Sequence, residues 1–323
     1  MPSREKIMTF DESFIDWLLE AQTPTIRFLT LSHLQERDEA DPEVQNAHRD
    51  IMETGPVPTI LTGQTKAGNW YPEHSYYTPK YVSTHWSMML LAELNADGSD
   101  ERLVRGVDFM LTATRDELAK ALDNGEYSLS CFWGNLLRYA LHCGFNDDPR
   151  VEAIVRYLAL NTLDEGWRCR YNDELPCAWG AARSLWGLAI LPAGNRSVDS
   201  VATIDQGLDF LLSSHQLVEA DYPTSGHVHT LWSRLNFPLF YQADILFILR
   251  VVAELGALDH SGVKPAMEWL IARRKLNGRW RGSSPFRQRT WQGLADVEET
   301  NRWLSLQAAL MIQQDARRFS NDA

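Results

Sequence analysis

Six times along this chain, a helix-like apolar run opens on a variant of one short signature. The clearest copies are Leu129-Ser130-Cys131-Phe132-Trp133-Gly134 and Leu175-Pro176-Cys177-Ala178-Trp179-Gly180. Val82-Ser83-Thr84-His85-Trp86-Ser87 and Phe237-Pro238-Leu239-Phe240-Tyr241-Gln242 are looser copies. The faintest are Thr23-Pro24-Thr25-Ile26-Arg27-Phe28 and Thr300-Asn301-Arg302-Trp303-Leu304. A recurring unit constrains folding more than any single helix does, because each copy buries its apolar face only against its neighbours.

Between the signature runs lie amphipathic segments, predicted as helices near 11–20, 42–53, 101–114, 149–161, 202–214 and 262–274. Asp41-Pro42 and Asp148-Pro149 are start signals, a capping aspartate followed by proline in the first turn. The signature helices are predicted near 24–36, 84–95, 131–143, 177–191, 238–255 and 299–313. Runs such as Met88-Met89-Leu90-Leu91-Ala92 and Ile245-Leu246-Phe247-Ile248-Leu249 are apolar on all sides, so these helices are expected to be buried on all sides. Alternating amphipathic and fully apolar helices imply two layers, with the signature ends gathered around a central cavity. No stretch shows sustained period-two alternation between hairpin turns, so almost no sheet is expected.

The net charge of −12 argues against a nucleic-acid surface. The late arginines (Arg273, Arg274, Arg279, Arg281, Arg287, Arg289) read as a solvated or salt-bridged face. No run approaches a membrane-spanning length, and Met1 to Phe10 lacks an apolar signal core. Four cysteines without such a signal point to the cytoplasm and to free thiols or metal ligands.

The glycine–tryptophan loops, Gln64 to Gly68-Asn69-Trp70 and Trp269 to Gly278-Arg279-Trp280, resemble the repeats of squalene and hopene cyclases, whose toroid protein prenyltransferase β-subunits share. The resemblance spans nearly the whole chain at the level of repeat and period. It implies an all-α (α/α)6 toroid of six inner and six outer helices, one domain over 1–323 with tails at 1–10 and 315–323. It also implies an apolar or isoprenoid-like small molecule as ligand, and acid or zinc-assisted chemistry. The Asp-x-Asp-Asp acid of class II cyclases and the Asp-Asp-x-x-Asp metal motif of class I enzymes do not occur here. Leu129-Ser130-Cys131 resembles the zinc-binding Asp-x-Cys segment of the prenyltransferases, with Leu129 in place of the aspartate. Asn301-Arg302 stands where their His-Thr pair opens the last inner helix.

Three groups of residues carry candidate chemistry. Cys131 and Cys177 hold the same repeat position, with Cys169 just before the second, His85 beside the matching position, and His227 and His229 in a later loop. Thiolates and an imidazole suit Zn²⁺; buried cysteines used as small apolar residues are the alternative. Trp86, Trp133, Trp179, Tyr241 and Trp303 share another repeat position, with Arg27 completing the set. They are read either as an aromatic ring that holds a cation or flat ligand, or as wedges between helices. Glu73, Asp173, Glu174 and Asp244 are candidate acids, beside Asp296, Glu298 and Glu299. Asp244 is the sharpest because Phe240, Tyr241, Ile245, Leu246 and Phe247 surround it; burial raises a carboxyl pKa. A buried structural pair and helix capping are the other readings. The polar-aromatic run Pro72 to Tyr81 is expected to line a pocket or to pack on itself. Two further functions remain open: a carbohydrate-active enzyme with paired carboxylates and stacking tryptophans, and a non-catalytic toroid binding a small molecule or a protein.

Overall fold

A computed structural model describes residues 10–126, 128–163, 166–219, 228–294 and 296–321. Among these residues the protein is all-α. The helices are α1 (Glu12–Leu19), α2 (Pro24–Leu29), α3 (Pro42–Glu53), α4 (Pro56–Thr62), α5 (Thr84–Glu93), α6 (Glu101–Ala113), α7 (Arg115–Asn124), α8 (Ser130–His142), α9 (Pro149–Leu163), α10 (Ala178–Ala189), α11 (Val198–Asp209), α12 (Ile245–Glu254), α13 (Val263–Ile271) and α14 (Val297–Asn321). Extended pairing among the described residues is limited to two isolated bridges, Arg168 with Pro176 and Asn236 with Ser283. No helix among them is long and apolar enough to cross a membrane.

The predicted starts hold where a capping aspartate announces them. Asp41 accepts the Glu43 N–H at 2.8 Å and Asp148 the Arg150 N–H at 2.8 Å, satisfying donors that the first turn leaves open. The helix expected from 238 begins instead at Ile245. Asp244 is its N-cap, its side chain accepting the Phe247 N–H at 2.8 Å. Helices α4 and α7, in segments read as connections, were not foreseen.

The chain forms two compact units, one of Met1–Thr59, Arg234–Pro238 and Asp244–Ala323, the other of Ile60–Ser233 and Leu239–Ala243. In the second unit, signature helices α5, α8 and α10 pack side by side, while α6, α9 and α11 pack against them. In α5 every residue from Thr84 to Leu91 is buried, as its all-round apolar sequence requires. Helices α8 and α10 meet through glycines. A Cβ added to Gly134 would lie 2.3 Å from the Arg183 carbonyl oxygen, and one on Gly187 would lie 2.4 Å from the Gly134 oxygen. Only a residue without a Cβ allows that approach. The first unit repeats the plan: α12, α14 and α2 pack in a row, with α13 against α12 and α14, and α3 against α2.

The glycine–tryptophan loops recur as one structural device. Trp70 donates its ring N–H to the Ile60 carbonyl at 2.7 Å, and its backbone N–H bonds Thr84 Oγ1 at 3.0 Å. Trp280 does the same with Leu270 at 2.9 Å and Ser305 Oγ at 2.9 Å. Each tryptophan thus ties the end of one helix to the signature helix that follows. Gly68 and Gly278 close the turns at φ 92° and 77°, in the region that favours glycine. Trp232, with Thr230 in place of a glycine two residues before it, makes the equivalent ring bond to the Leu217 carbonyl at 2.7 Å.

Candidate functional site

In the second unit, three connecting segments converge on the first turns of α5, α8 and α10. The polar-aromatic loop is fixed to α5 where His85 N–H bonds the Tyr76 carbonyl at 3.0 Å and Trp86 Nε1 donates to the Tyr77 carbonyl at 2.9 Å. The 239–243 segment is held from α8 by Asn135, whose amide donates to the Phe240 carbonyl at 3.2 Å. From α10, Arg183 donates Nε and Nη2 to the Gln242 carbonyl at 2.9 and 2.6 Å. A short hairpin precedes α10. It is closed by Cys177 N–H to the Trp167 carbonyl at 2.9 Å and Cys169 N–H to the Leu175 carbonyl at 3.2 Å.

These segments leave a partly exposed rim of Tyr77, Lys80, Cys131, Trp179, His229 and Tyr241. The Lys80 ammonium sits 5.7 Å from the Tyr77 ring centre and 5.2 Å from that of Tyr241, a cation held over two aromatic faces. Trp179 meets Tyr241 at 6.0 Å and His229 at 5.2 Å, both edge-on. Beneath them lie buried Trp86, Phe132, Phe240 and His85. His85 stacks on Phe132 at 4.4 Å, and its Nδ1 lies 3.3 Å from the Tyr139 hydroxyl. Burial, reinforced by the Arg183 cation, pushes the imidazole down to about 3, so it is neutral at physiological pH. Its Nε2, Asn135 Oδ1 and Gln242 Oε1 are buried and have no hydrogen-bond partner among the described residues. Burial also pushes Tyr241 up to about 12 and Tyr77 above its usual range, so both hydroxyls stay protonated and serve as donors.

The three sequence-predicted cysteines of this region form a graded set. Cys177 caps α10, its sulfur accepting the Gly180 N–H at 3.2 Å. Cys169, on the hairpin, is approached by the Cys177 thiol and by the backbone N–H groups of Tyr171 and Leu129, while the Asn172 N–H bonds the Cys169 carbonyl at 2.8 Å. These donors hold its thiol down to about 6, against the opposing effect of burial. Cys131, at the start of α8, is pushed up to about 12 by burial and by the neighbouring Cys169. Around the hairpin the backbone is held at φ values that non-glycine residues rarely adopt: Leu129 at 61°, Trp167 at 65°, Asp173 at 52° and Glu174 at 59°. Such conformations persist where the surrounding structure fixes them, and they concentrate at functional sites.

The remaining sequence candidates are distributed differently. Trp86, Trp133 and Trp303 are buried at 0%, 2% and 1% exposure, as wedges, whereas Trp179 and Tyr241 reach the rim. Trp303 lies in the first unit, stacked on Phe237 at 4.3 Å. Arg27 pairs with Asp50 at 2.8 Å. Asp244, also in the first unit, is raised to about 6 by burial, yet both its oxygens are engaged. Oδ1 takes the Phe247 N–H at 2.8 Å, and Oδ2 takes the Asn236 N–H at 2.8 Å and the Asn236 side-chain amide at 3.1 Å. Glu73, Asp173 and Glu174 are exposed, Glu73 lying 3.7 Å from His74. Glu299 takes the Thr23 N–H at 2.8 Å and the Gln22 N–H at 3.1 Å, and Glu298 takes the Trp17 ring N–H at 2.7 Å, tying α14 to the α1–α2 connection. Asp296 caps α14 through the Glu299 N–H at 2.9 Å.

Among the described residues, no group of three or more His, Cys, Asp or Glu side chains is placed to hold a metal ion. The donor chemistry agrees. His229 Nδ1 accepts the Leu231 N–H at 3.1 Å, and His85 is enclosed by aromatic rings. His227 lies outside the described residues. A groove of about 620 Å³ in the first unit, lined by Ile15, Asp16, Leu34, Arg37 and Gln313 among others, contains none of the candidates. Sequence reasoning named the Pro72 to Tyr81 loop but did not single out Lys80 or Tyr77. Their signal was the density of polar aromatics beside one lysine.

Compared with known family models, curated proteins and solved structures, the chain matches none.

Proposed function

We propose that this protein binds an isoprenoid-like small molecule with an anionic end group at the Tyr77–Lys80–Trp179–Tyr241 rim of its second unit. The observation that carries this reading is Lys80, held between two aromatic rings beside the partly exposed Trp179 and above a buried aromatic floor. An apolar chain lies against Trp179 and Tyr241, and the anionic end meets the Lys80 ammonium. The protonated hydroxyls of Tyr77 and Tyr241 add hydrogen bonds without adding charge. The rows of three signature helices in each unit support an (α/α)6 toroid like that of the cyclases and prenyltransferase β-subunits. This reading assigns no step to Asp244, whose oxygens are committed to capping, and routes none through a metal.

Titration calorimetry with farnesyl diphosphate and with farnesol tests the reading. Saturable binding of the diphosphate is expected, with farnesol weaker by about tenfold, the equivalent of one charge-assisted contact. Lys80→Ala should remove that preference, and Trp179→Ala should weaken both ligands. Absence of saturable binding by either compound to the folded chain would sink the proposal.

A further inference from the structure

We propose that Cys169 and Cys177 form a hydroperoxide-reactive dithiol site, in which Cys169 attacks the peroxide and Cys177 resolves the product as an intramolecular disulfide. The proposal is independent of the ligand reading above.

The geometry rests on the hairpin before α10. Its two backbone bonds set Arg168 opposite Pro176 and Cys169 opposite Leu175, so Cys169 and Cys177 project from the same face as a diagonal pair, offset by two residues. The Cys177 thiol already hydrogen-bonds the Cys169 sulfur. The backbone N–H groups of Tyr171 and Leu129 favour the thiolate of that sulfur, and the Asn172 N–H, which bonds the Cys169 carbonyl at 2.8 Å, acts in the same direction. This arrangement is built from backbone at unfavourable φ: Leu129 supplies one donor itself, and Asp173 and Glu174 make the turn. Buried wedge cysteines need none of this. Cys169 is itself buried at 9% exposure, and its neighbours Arg168, Arg170 and Tyr171 are exposed, so the hairpin that carries it lies at the surface. Cys131 is poorly suited to either role: although the residue borders the rim, desolvation of its sulfur and the neighbouring Cys169 hold it as the thiol.

The chemistry balances in two steps. The Cys169 thiolate attacks one peroxide oxygen; an S–O bond forms, the O–O bond breaks, and the second oxygen leaves as alcohol or water after taking a proton. Cys169 is then a sulfenic acid. The Cys177 sulfur attacks Cys169; the S–S bond forms and the hydroxyl leaves as water, with the thiol proton. The sum is two thiols and one hydroperoxide giving one disulfide, one alcohol and one water. A small-molecule thiol reverses it by exchange. In that exchange the Gly180 N–H, at 3.2 Å from Cys177 Sγ, stabilises the departing Cys177 thiolate.

The test treats the full chain with hydrogen peroxide and counts thiols after denaturation. Of the four cysteines, two are expected to disappear together. Trypsin cuts after Arg168, Arg170 and Arg183, so the expected product is the dipeptide Cys169-Arg170 joined to the peptide 171–183. Cys177→Ser should leave a sulfenic acid on Cys169, captured by dimedone. Cys131→Ser should give the same linkage as the parent chain, and Cys169→Ser should slow thiol loss by about tenfold or more. Circular dichroism confirms that each variant is folded. Linkage of Cys169 to Cys131, linkage between chains, or no dimedone adduct in Cys177→Ser overturns the proposal. So does a stoichiometric zinc ion that protects the thiols until it is chelated.

Discussion

Replacing Asp244 by alanine separates a structural aspartate from a catalytic one, and the pH dependence carries the information. Three donors end on this carboxylate: the Phe247 N–H, the Asn236 N–H and the Asn236 side-chain amide. At about 1 kcal/mol net for each hydrogen bond, their loss costs about 3 kcal/mol, including the cap of α12. The carboxyl is raised from 3.8 to about 6, chiefly by burial. A raised folded-state pKa contributes stability that is complete below the unfolded value and is lost as pH rises through the folded one. Between pH 4.5 and 7.5 the wild type therefore loses about 2 kcal/mol that the alanine variant does not. The variant should be destabilised by about 3 kcal/mol at pH 4.5 and by only about 1 kcal/mol at pH 7.5. Urea denaturation of both proteins at the two pH values, followed by circular dichroism, measures this. A deficit that is the same at both pH values, or larger at pH 7.5, would refute the reasoning, since it would mean that the ionised carboxylate is the favoured form in the fold.

Three further outcomes are expected. Iodoacetamide should label Cys169 with a rate that rises through about pH 6 and levels off above it, because the depressed thiol is already thiolate there; a midpoint near the usual 9.0 contradicts the hydrogen-bonded cradle. Gly134→Ala gains helix propensity of about 1 kcal/mol but drives a Cβ to within 2.3 Å of a backbone oxygen. Overpacking against backbone costs about 1–3 kcal/mol, so the urea midpoint should fall, and a rise would mean that α8 and α10 are not so closely packed. Trp280→Phe keeps an aromatic ring but leaves the Leu270 carbonyl without its 2.9 Å donor. A loss of about 2 kcal/mol is expected from thermal or urea unfolding, and an unchanged midpoint would remove the clamp from the account.

How far the sequence foretells this structure depends on whether the controlling contact is local. Asp41 and Asp148 cap the helices they precede, because the aspartate, the proline and the open N–H groups lie within one turn. The Trp70 and Trp280 clamps were visible as Gly-x-Trp, since glycine closes the turn that delivers the ring. Asp244 was misplaced because an apolar run from Phe240 to Leu249 reads as one continuous helix. What makes the helix start at Ile245 is the three donors gathered by Asp244, two of them from Asn236, which lies eight positions earlier in the chain. Periodicity cannot register such a contact. Trp86 and Trp179 occupy one repeat position with different fates for the same reason. Tyr77 at 4.7 Å and Phe240 at 5.6 Å close over Trp86, whereas Trp179 is flanked edge-on by His229 and Tyr241 at the rim.

The repeat thus supplies the frame, and its departures supply the chemistry. Where the signature position is aromatic and enclosed, as at Trp86, Trp133 and Trp303, it acts as a wedge and is chemically silent. Cys131 and Cys177 are alike by repeat position, yet they differ in environment. Cys177 caps its helix and touches a second cysteine that the repeat does not contain, while Cys131 is pushed toward the neutral thiol. The difference comes from the hairpin at 167–177, whose turn uses Asp173 and Glu174 at positive φ where a glycine would be easier. A turn kept in that form brings backbone N–H groups and the Cys177 thiol to the Cys169 sulfur. That placement separates a thiol drawn toward the thiolate from one held neutral, and nothing in the spacing of the cysteines along the chain encodes it.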